Sequence, residues 1–67
     1  MKYFFLNGEK YSLENTITLL ELLEYFNYNK TLLVLEYNNK ICNKEKWTTV
    51  FLEHEDKVEI VSIVGGG

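Results

Sequence analysis

Three of the four glycines stand together at the C-terminus as Gly65-Gly66-Gly67, and their type and position point most directly to chemistry. A C-terminal carboxylate is ionised at neutral pH, with an unperturbed pKa of about 3.5. It is a weak nucleophile toward an ATP phosphate unless a partner enzyme positions it. To reach such a site the tail must thread a narrow channel in extended form. A Cβ would restrict φ and widen the cross-section, and glycine removes both limits. The pattern suits a protein that is itself a substrate, activated at Gly67, with Gly66 inside the channel and Gly65 as the approach. Against this stands frequency: a terminal Gly-Gly arises by chance in about one chain in 200. A frayed end or a cloning scar therefore competes for the same three residues.

The other reactive residue types are sparse. Cys42 is the only cysteine and His54 the only histidine. A lone thiol rules out an internal disulfide framework and a zinc site built on several thiolates. Cys42 reads as a small apolar strand residue or as a persulfide acceptor; no neighbouring basic cluster in the sequence would lower its pKa. His54 lacks a second His or Cys to share a metal and lies in an acidic turn, where solvation is expected. Glu53, Glu55, Asp56 and Glu59 lack the spacing of a calcium loop and read as a wet, charged turn. There is no Ser/His/Asp arrangement, and the glycines stand at the wrong end for a nucleotide loop, with no helix after them. The expectation is a protein with no catalytic residue, no metal and no bound cofactor, ATP being used by its partner.

With 67 residues, 46% of them hydrophobic and 15% aromatic, and a net charge of −3, the chain is one small domain rather than a disordered segment. Folding at this length buries only about 60% of the surface of the unfolded chain, which leaves little room for an enclosed active-site cleft. All seven basic residues are scattered lysines, against the clustered basic face that nucleic acid requires. The opening apolar run stops at Asn7-Gly8-Glu9-Lys10, too early for a signal h-region, and no segment approaches a membrane span. A soluble protein of a reducing compartment is expected, in the cytoplasm or in an organelle stroma if organelle-encoded, with neither nucleic acid nor membrane as partner.

The tail needs a body, and hydropathy patterning supplies one. Lys2–Leu6 and Glu9–Leu13 around Asn7-Gly8 predict a β-hairpin. A two-residue turn pairs Leu6 with Glu9, Phe5 with Lys10, Phe4 with Tyr11 and Tyr3 with Ser12. One face then carries Phe4, Leu6, Tyr11 and Leu13. Residues 17–26 predict the main helix, with Leu19, Leu20, Leu22, Leu23 and Phe26 as its apolar stripe. Either Thr16 caps it or Thr18 does so in a capping box with Glu21. Residues 32–37 predict a strand, Asn38-Asn39 a turn and Lys40–Cys42 a return strand. Asn43–Thr48 around Trp47 predict a helical turn or loop, and Lys57–Val64 the last strand. The helix stripe must cover one face of a sheet. Setting the last strand beside the first gives an α+β, β-grasp (ubiquitin-like) roll: a mixed sheet of four to five strands and one main helix. The expected core is Phe4, Leu6, Leu20, Leu23, Leu33, Leu35, Val58 and Ile60. Residues 1–64 form the domain and 65–67 a flexible tail. The uncovered face carries Tyr3, Phe5, Val61 and Ile63 beside Glu59, a candidate partner-binding patch.

In that order and spacing the chain resembles the ThiS family of sulfur-carrier proteins over nearly its full length. The resemblance rests on Leu6-Asn7-Gly8, Thr16-Ile17 leading into Leu22-Leu23, Val34-Leu35-Glu36 with Asn38, Ile41 and Trp47, Asp56-Lys57-Val58-Glu59-Ile60-Val61, and Val64-Gly65-Gly66-Gly67. The chain departs from the family in having Glu55-Asp56 where Gly-Asp is common and Cys42-Asn43 where Val-Pro is common. The resemblance implies adenylation of Gly67 by a ThiF-like adenylyltransferase, sulfur supplied by a cysteine desulfurase or another donor, a Gly67 thiocarboxylate, and delivery to a ThiG-like thiazole synthase in thiamine biosynthesis. Molybdopterin-synthase small subunits share the fold and the Gly-Gly ending but usually carry a proline before the tail, which this chain lacks. A ubiquitin-like modifier and a plain interaction domain are the remaining classes.

Overall fold

The computed structural model describes residues 1–63; Val64, Gly65, Gly66 and Gly67, on which the tail reading falls, lie outside them. The chain forms β1 (Tyr3–Leu6), β2 (Glu9–Ser12), α1 (Leu19–Tyr25), β3 (Leu33–Tyr37), β4 (Lys40–Ile41), a 3-10 turn at Lys44–Lys46 and β5 (Lys57–Ser62). The sheet order is β2-β1-β5-β3-β4. β1 and β5 run parallel at its centre and the other neighbours antiparallel. This is the β-grasp arrangement, with the last strand beside the first as expected.

The hairpin register is the one its turn dictates, Leu6 opposite Glu9 through Tyr3 opposite Ser12. Asn7 and Gly8 both have positive φ, 50° and 84°, which a tight hairpin turn demands of both central residues. The Asn38-Asn39 turn solves the same problem without glycine, at φ 52° and 73°. Asn7 also extends the central pairing past the end of β1. Its N–H donates to the Val58 carbonyl at 2.9 Å, and its Oδ1 accepts from the Ile60 N–H at 2.7 Å.

Helix α1 begins two residues later than the predicted span 17–26. Thr18, not Thr16, is the N-cap, in a reciprocal capping box with Glu21. The first two helical amides are satisfied from outside, Leu19 N–H by the Val50 carbonyl and Leu20 N–H by that of Trp47, each at 3.0 Å. The helix ends in a Schellman motif: Asn27 takes φ 61°, its N–H reaches the Glu24 carbonyl, and the Tyr28 N–H reaches that of Leu23. Leu19, Leu22 and Leu23 face inward and are fully buried. Leu20, expected in the core, is only half-buried against its margin, because the helix is rotated to bury Leu19 and Leu22. The remaining expected core residues, Phe4, Leu6, Leu23, Leu33, Leu35, Val58 and Ile60, are buried with Leu13, Leu52 and Trp47.

Trp47 is 3% exposed despite the polar residues around it. It plugs the core beside α1, and its indole N–H donates to the Cys42 carbonyl at 3.0 Å. The acidic turn 53–56 is also not simply solvated. Asp56 is 8% exposed; its carboxylate accepts from Tyr37 O–H at 2.5 Å, Asn38 Nδ2–H at 3.0 Å and Glu53 N–H at 2.7 Å.

Candidate functional site

Alternation along the strands sorts the sheet into two faces. Phe4, Leu6, Leu33, Leu35, Val58 and Ile60 face α1, so Tyr3, Phe5, Val34, Glu36, Lys57, Glu59 and Val61 point the other way. The register brings these outward residues together in two groups. Phe5 stands opposite Lys57 across the parallel pair, and Val34 stands opposite Val61 across the antiparallel one. Lys57 and Val61 are four residues apart, about 13 Å of strand. Tyr3 and Phe5 therefore occupy the entry end of β5, and Val61 and Ile63 its exit end, with Glu59 between them.

The entry group is aromatic and tightly tied. The Tyr3 and Phe5 rings meet edge-on at 5.6 Å, His54 packs edge-on against Tyr3 at 4.5 Å, and Lys10 Nζ lies 4.0 Å from the Tyr3 ring centre. His54 is thus more than a solvated surface residue: its Nδ1 accepts the Tyr3 backbone N–H at 3.1 Å, which ties the ring to the start of β1. The Tyr3 hydroxyl donates to Glu55 at 3.1 Å, and that hydrogen bond to a carboxylate raises the phenol's pKa above its ordinary value.

The exit group is apolar and open. Val61 is 58% and Ile63 49% exposed. Leu32, Val34 and Ile41 join them on the same face, since Ile63 N–H donates to the Leu32 carbonyl, Val34 pairs with Val61, and Ile41 stands opposite Glu36. These three neighbours were missed in the sequence, although a strand that buries Leu33 and Leu35 must turn 32, 34 and 36 outward. Ile63 is the last described residue, so this group adjoins the start of the glycine tail.

Cys42 offers no reactive thiolate. Partial burial raises its pKa, and the opposing influence of Lys46 is smaller. Among the described residues no three His, Cys, Asp or Glu side chains come together to hold a metal ion, and no helix is long and apolar enough to cross a membrane.

A family model described as the ThiS family matches residues 4–67, a span that takes in the sheet, the helix and all three terminal glycines. The chain belongs to the ThiS family. The ycf40 protein of Trieres chinensis is 58% identical over 66 residues, 98% of this chain and 90% of its own length. The sulfur carrier protein ThiS of Bacillus subtilis strain 168 is 35% identical over 54 residues, covering 81% of this chain and 82% of that protein. In three dimensions, the crystal structure of the thiamine biosynthesis protein ThiS from Geobacter metallireducens superposes with a TM-score of 0.82 over 97% of this chain and 99% of that one. At 20% identity this last likeness bears on the fold: the ThiS β-grasp is shared, helix and five strands included.

Proposed function

We propose that the chain is a sulfur carrier for assembly of the thiazole ring of thiamine, a protein co-substrate rather than an enzyme. The observation that carries this reading is the ThiS-family match running through Gly65-Gly66-Gly67, joined to a relative named as a sulfur carrier. In this reading the Gly67 carboxylate attacks the α-phosphate of ATP inside a ThiF-like adenylyltransferase, giving the acyl-adenylate and pyrophosphate. The outer sulfur of a persulfide donor, such as that of a cysteine desulfurase, attacks the acyl carbon and displaces AMP; a thiol reductant then cleaves the resulting S–S bond and leaves a thiocarboxylate on Gly67. A ThiG-like thiazole synthase takes the sulfur and the carboxylate returns. The chain contributes no acid, base or metal. It holds a slim tail on a recognisable body, which turns a free carboxylate into a positioned one.

Intact-mass measurement after incubation with the adenylyltransferase, ATP and a sulfur donor tests this. The expected product gains the mass of one sulfur-for-oxygen exchange at Gly67. Gly66→Val, or one residue added after Gly67, should abolish adenylation while leaving the melting curve in place. An extended chain that is adenylated without prior trimming overturns the reading, and an isopeptide-linked product instead of the thiocarboxylate would make the chain a modifier.

A further inference from the structure

The sheet ends in two unlike edges, β2 and β4. β4 is two residues long. β2 is twice that length, and its backbone is open. Leu6 and Glu9 close a two-residue turn, so hydrogen-bonded pairs alternate from there along the hairpin. Phe4 with Tyr11 is the next such pair, and the Leu13 N–H donating to the Lys2 carbonyl at 2.9 Å continues the series. Lys10 and Ser12 fall between these pairs, so their N–H and C=O groups point off the edge. Their partners across the hairpin confirm the phase: the Tyr3 and Phe5 N–H groups turn the other way, to His54 and the Asp56 carbonyl. No described strand covers β2. A lysine commonly guards such an edge, but Lys10 is drawn over the sheet face, with Nζ 4.0 Å from the Tyr3 ring centre.

Beside this edge, on the helix side of the sheet, runs an open groove of about 420 Å³ lined by Tyr11, Leu13, Ile17, Tyr25 and Phe26. Its floor is aromatic. The Phe26 ring meets Tyr11 edge-on at 5.2 Å and Tyr25 edge-on at 5.1 Å, and Tyr25 is 78% exposed. A carboxylate stands at each end. Glu9 accepts from the Tyr11 hydroxyl at 3.2 Å, which holds it at the rim by the hairpin turn, and Glu14 lines the far end. No lysine lines the groove. Neither carboxylate belongs to an ion pair among the described residues, where the pairs are Lys30 with Glu24 and His54 with Glu55. Glu9 and Glu14 are five residues apart, at most about 18 Å of extended chain.

From the open backbone groups, the groove and its acidic ends we infer that β2 takes up an extended basic segment of a partner protein as an added antiparallel strand. Lys10 and Ser12 each exchange an N–H and a C=O with it, which supplies affinity without regard to sequence. Alternate side chains of the guest fall on the helix side, opposite Glu9, Tyr11 and Leu13. A lysine or arginine suits the first of these places, aliphatic residues suit the next two, and a second cation suits the Glu14 end. The site therefore selects a basic segment with two aliphatic residues at alternate positions between its charges. β2 lies two strands from β5, so a guest there leaves the outer face and the exit end of β5 uncovered.

The test uses the full chain and a capped synthetic peptide of lysine, threonine, isoleucine, threonine, valine and lysine in that order, with binding read by amide chemical shifts and calorimetry. The largest shifts should fall on Lys10, Ser12 and the Tyr25–Phe26 end of α1. A peptide with glutamates in place of the lysines should bind at least about tenfold more weakly, since like charges then meet at both ends. Reordering the peptide so that isoleucine and valine are adjacent should cost a similar factor, because one of them must leave the groove. Ser12→Pro removes an N–H that the hairpin does not use, at an edge position where proline is tolerated. It should melt close to the wild type and bind at least about tenfold more weakly, having lost a donor and gained a ring on the edge. Ile41→Pro makes the same change at the outward N–H of the opposite edge and should bind as wild type. If Ser12→Pro holds the peptide as tightly as the wild type, if the charge-reversed peptide binds equally well, if the shifts centre on the outer face, or if the wild type binds no peptide, the inference is overturned. If light scattering shows a wild-type dimer that Ser12→Pro converts to monomer, the guest strand is a second copy of β2 and the inference is likewise overturned.

Discussion

At its entry end β5 is fastened to three other segments. Asp56 gathers Tyr37, Asn38 and the Glu53 amide. The Phe5 N–H reaches the Asp56 carbonyl, and Asn38 exchanges bonds with both the N–H and the carbonyl of Lys57. At its exit end, past the bond from Ile60 to Asn7, β5 has β3 on one side and no described strand on the other. The apolar side chains there stay exposed. Polar groups are thus buried and satisfied where the fold needs holding, while apolar groups are left open next to the start of the glycine tail. Which residue types are buried is the reverse of what hydropathy alone suggests. Burial of a carboxylate is tolerated because its donors are supplied, whereas the exposed valine and isoleucine belong to a contiguous apolar group of the kind that marks an interaction surface.

The contrast can be broken most severely at Asp56. Asp56→Ala removes the acceptor for three donors, and charge-assisted bonds of this kind contribute about 1.5–3 kcal/mol. The variant should lose about 3 kcal/mol in urea unfolding, a large part of what so small a domain holds. Tyr37→Phe should cost less, about 1–2 kcal/mol, and should also change the alkaline limb. Burial, then the bond to Asp56, raises the Tyr37 phenol well above its ordinary value. A pKa raised on folding stabilises the protein fully below the unfolded value, about pH 10, and that stability is lost as pH climbs toward the folded value. Wild type should therefore weaken steeply above about pH 10, and Tyr37→Phe less steeply. A smaller effect of opposite sign is expected at Glu55, which sits at φ 72°, a conformation that suits glycine. Glu55→Gly should raise stability by up to about 1 kcal/mol. At the other end of β5, Ile63→Ser should change the unfolding free energy by no more than about 0.5 kcal/mol. A large loss there would mean that the exit end is structural and would erase the distinction.

Much of this was legible in the sequence where local rules act alone. Asn7-Gly8 set the hairpin and its register, the leucine stripe located the helix, and two short β-rich runs gave β3 and β5. The helix start was ambiguous because Thr16 and Thr18 are both competent caps; the docking of the Val50 and Trp47 carbonyls on the first turn selects Thr18. The same docking turns Leu19 inward in place of Leu20. Trp47 escaped notice as a core residue because its neighbours are polar and its run too short to show a period. Asp56 escaped because its partners Tyr37 and Asn38 are 19 and 18 residues away, brought close only by the β3–β5 register. His54 likewise gains its role from Tyr3, 51 residues distant. In the outer face, the faces of individual strands were readable, whereas the separation of Tyr3 and Phe5 from Val61 and Ile63 follows from the parallel offset of β1 and β5.

The strand at the centre of the sheet is also the last of the five described strands in chain order. Everything before residue 57 can form a hairpin, a short helix and a second hairpin, yet the two halves share no ladder until β5 arrives between β1 and β3. Pairings this distant in sequence close late and slowly, and chains fold during synthesis only as far as their strands have emerged. A shortened product, from an early stop or a clipped end, would lack the central rung and stay open to proteolysis. The folded body therefore works as a certificate of completion: any enzyme that recognises its shape is presented only with chains translated at least through Ser62.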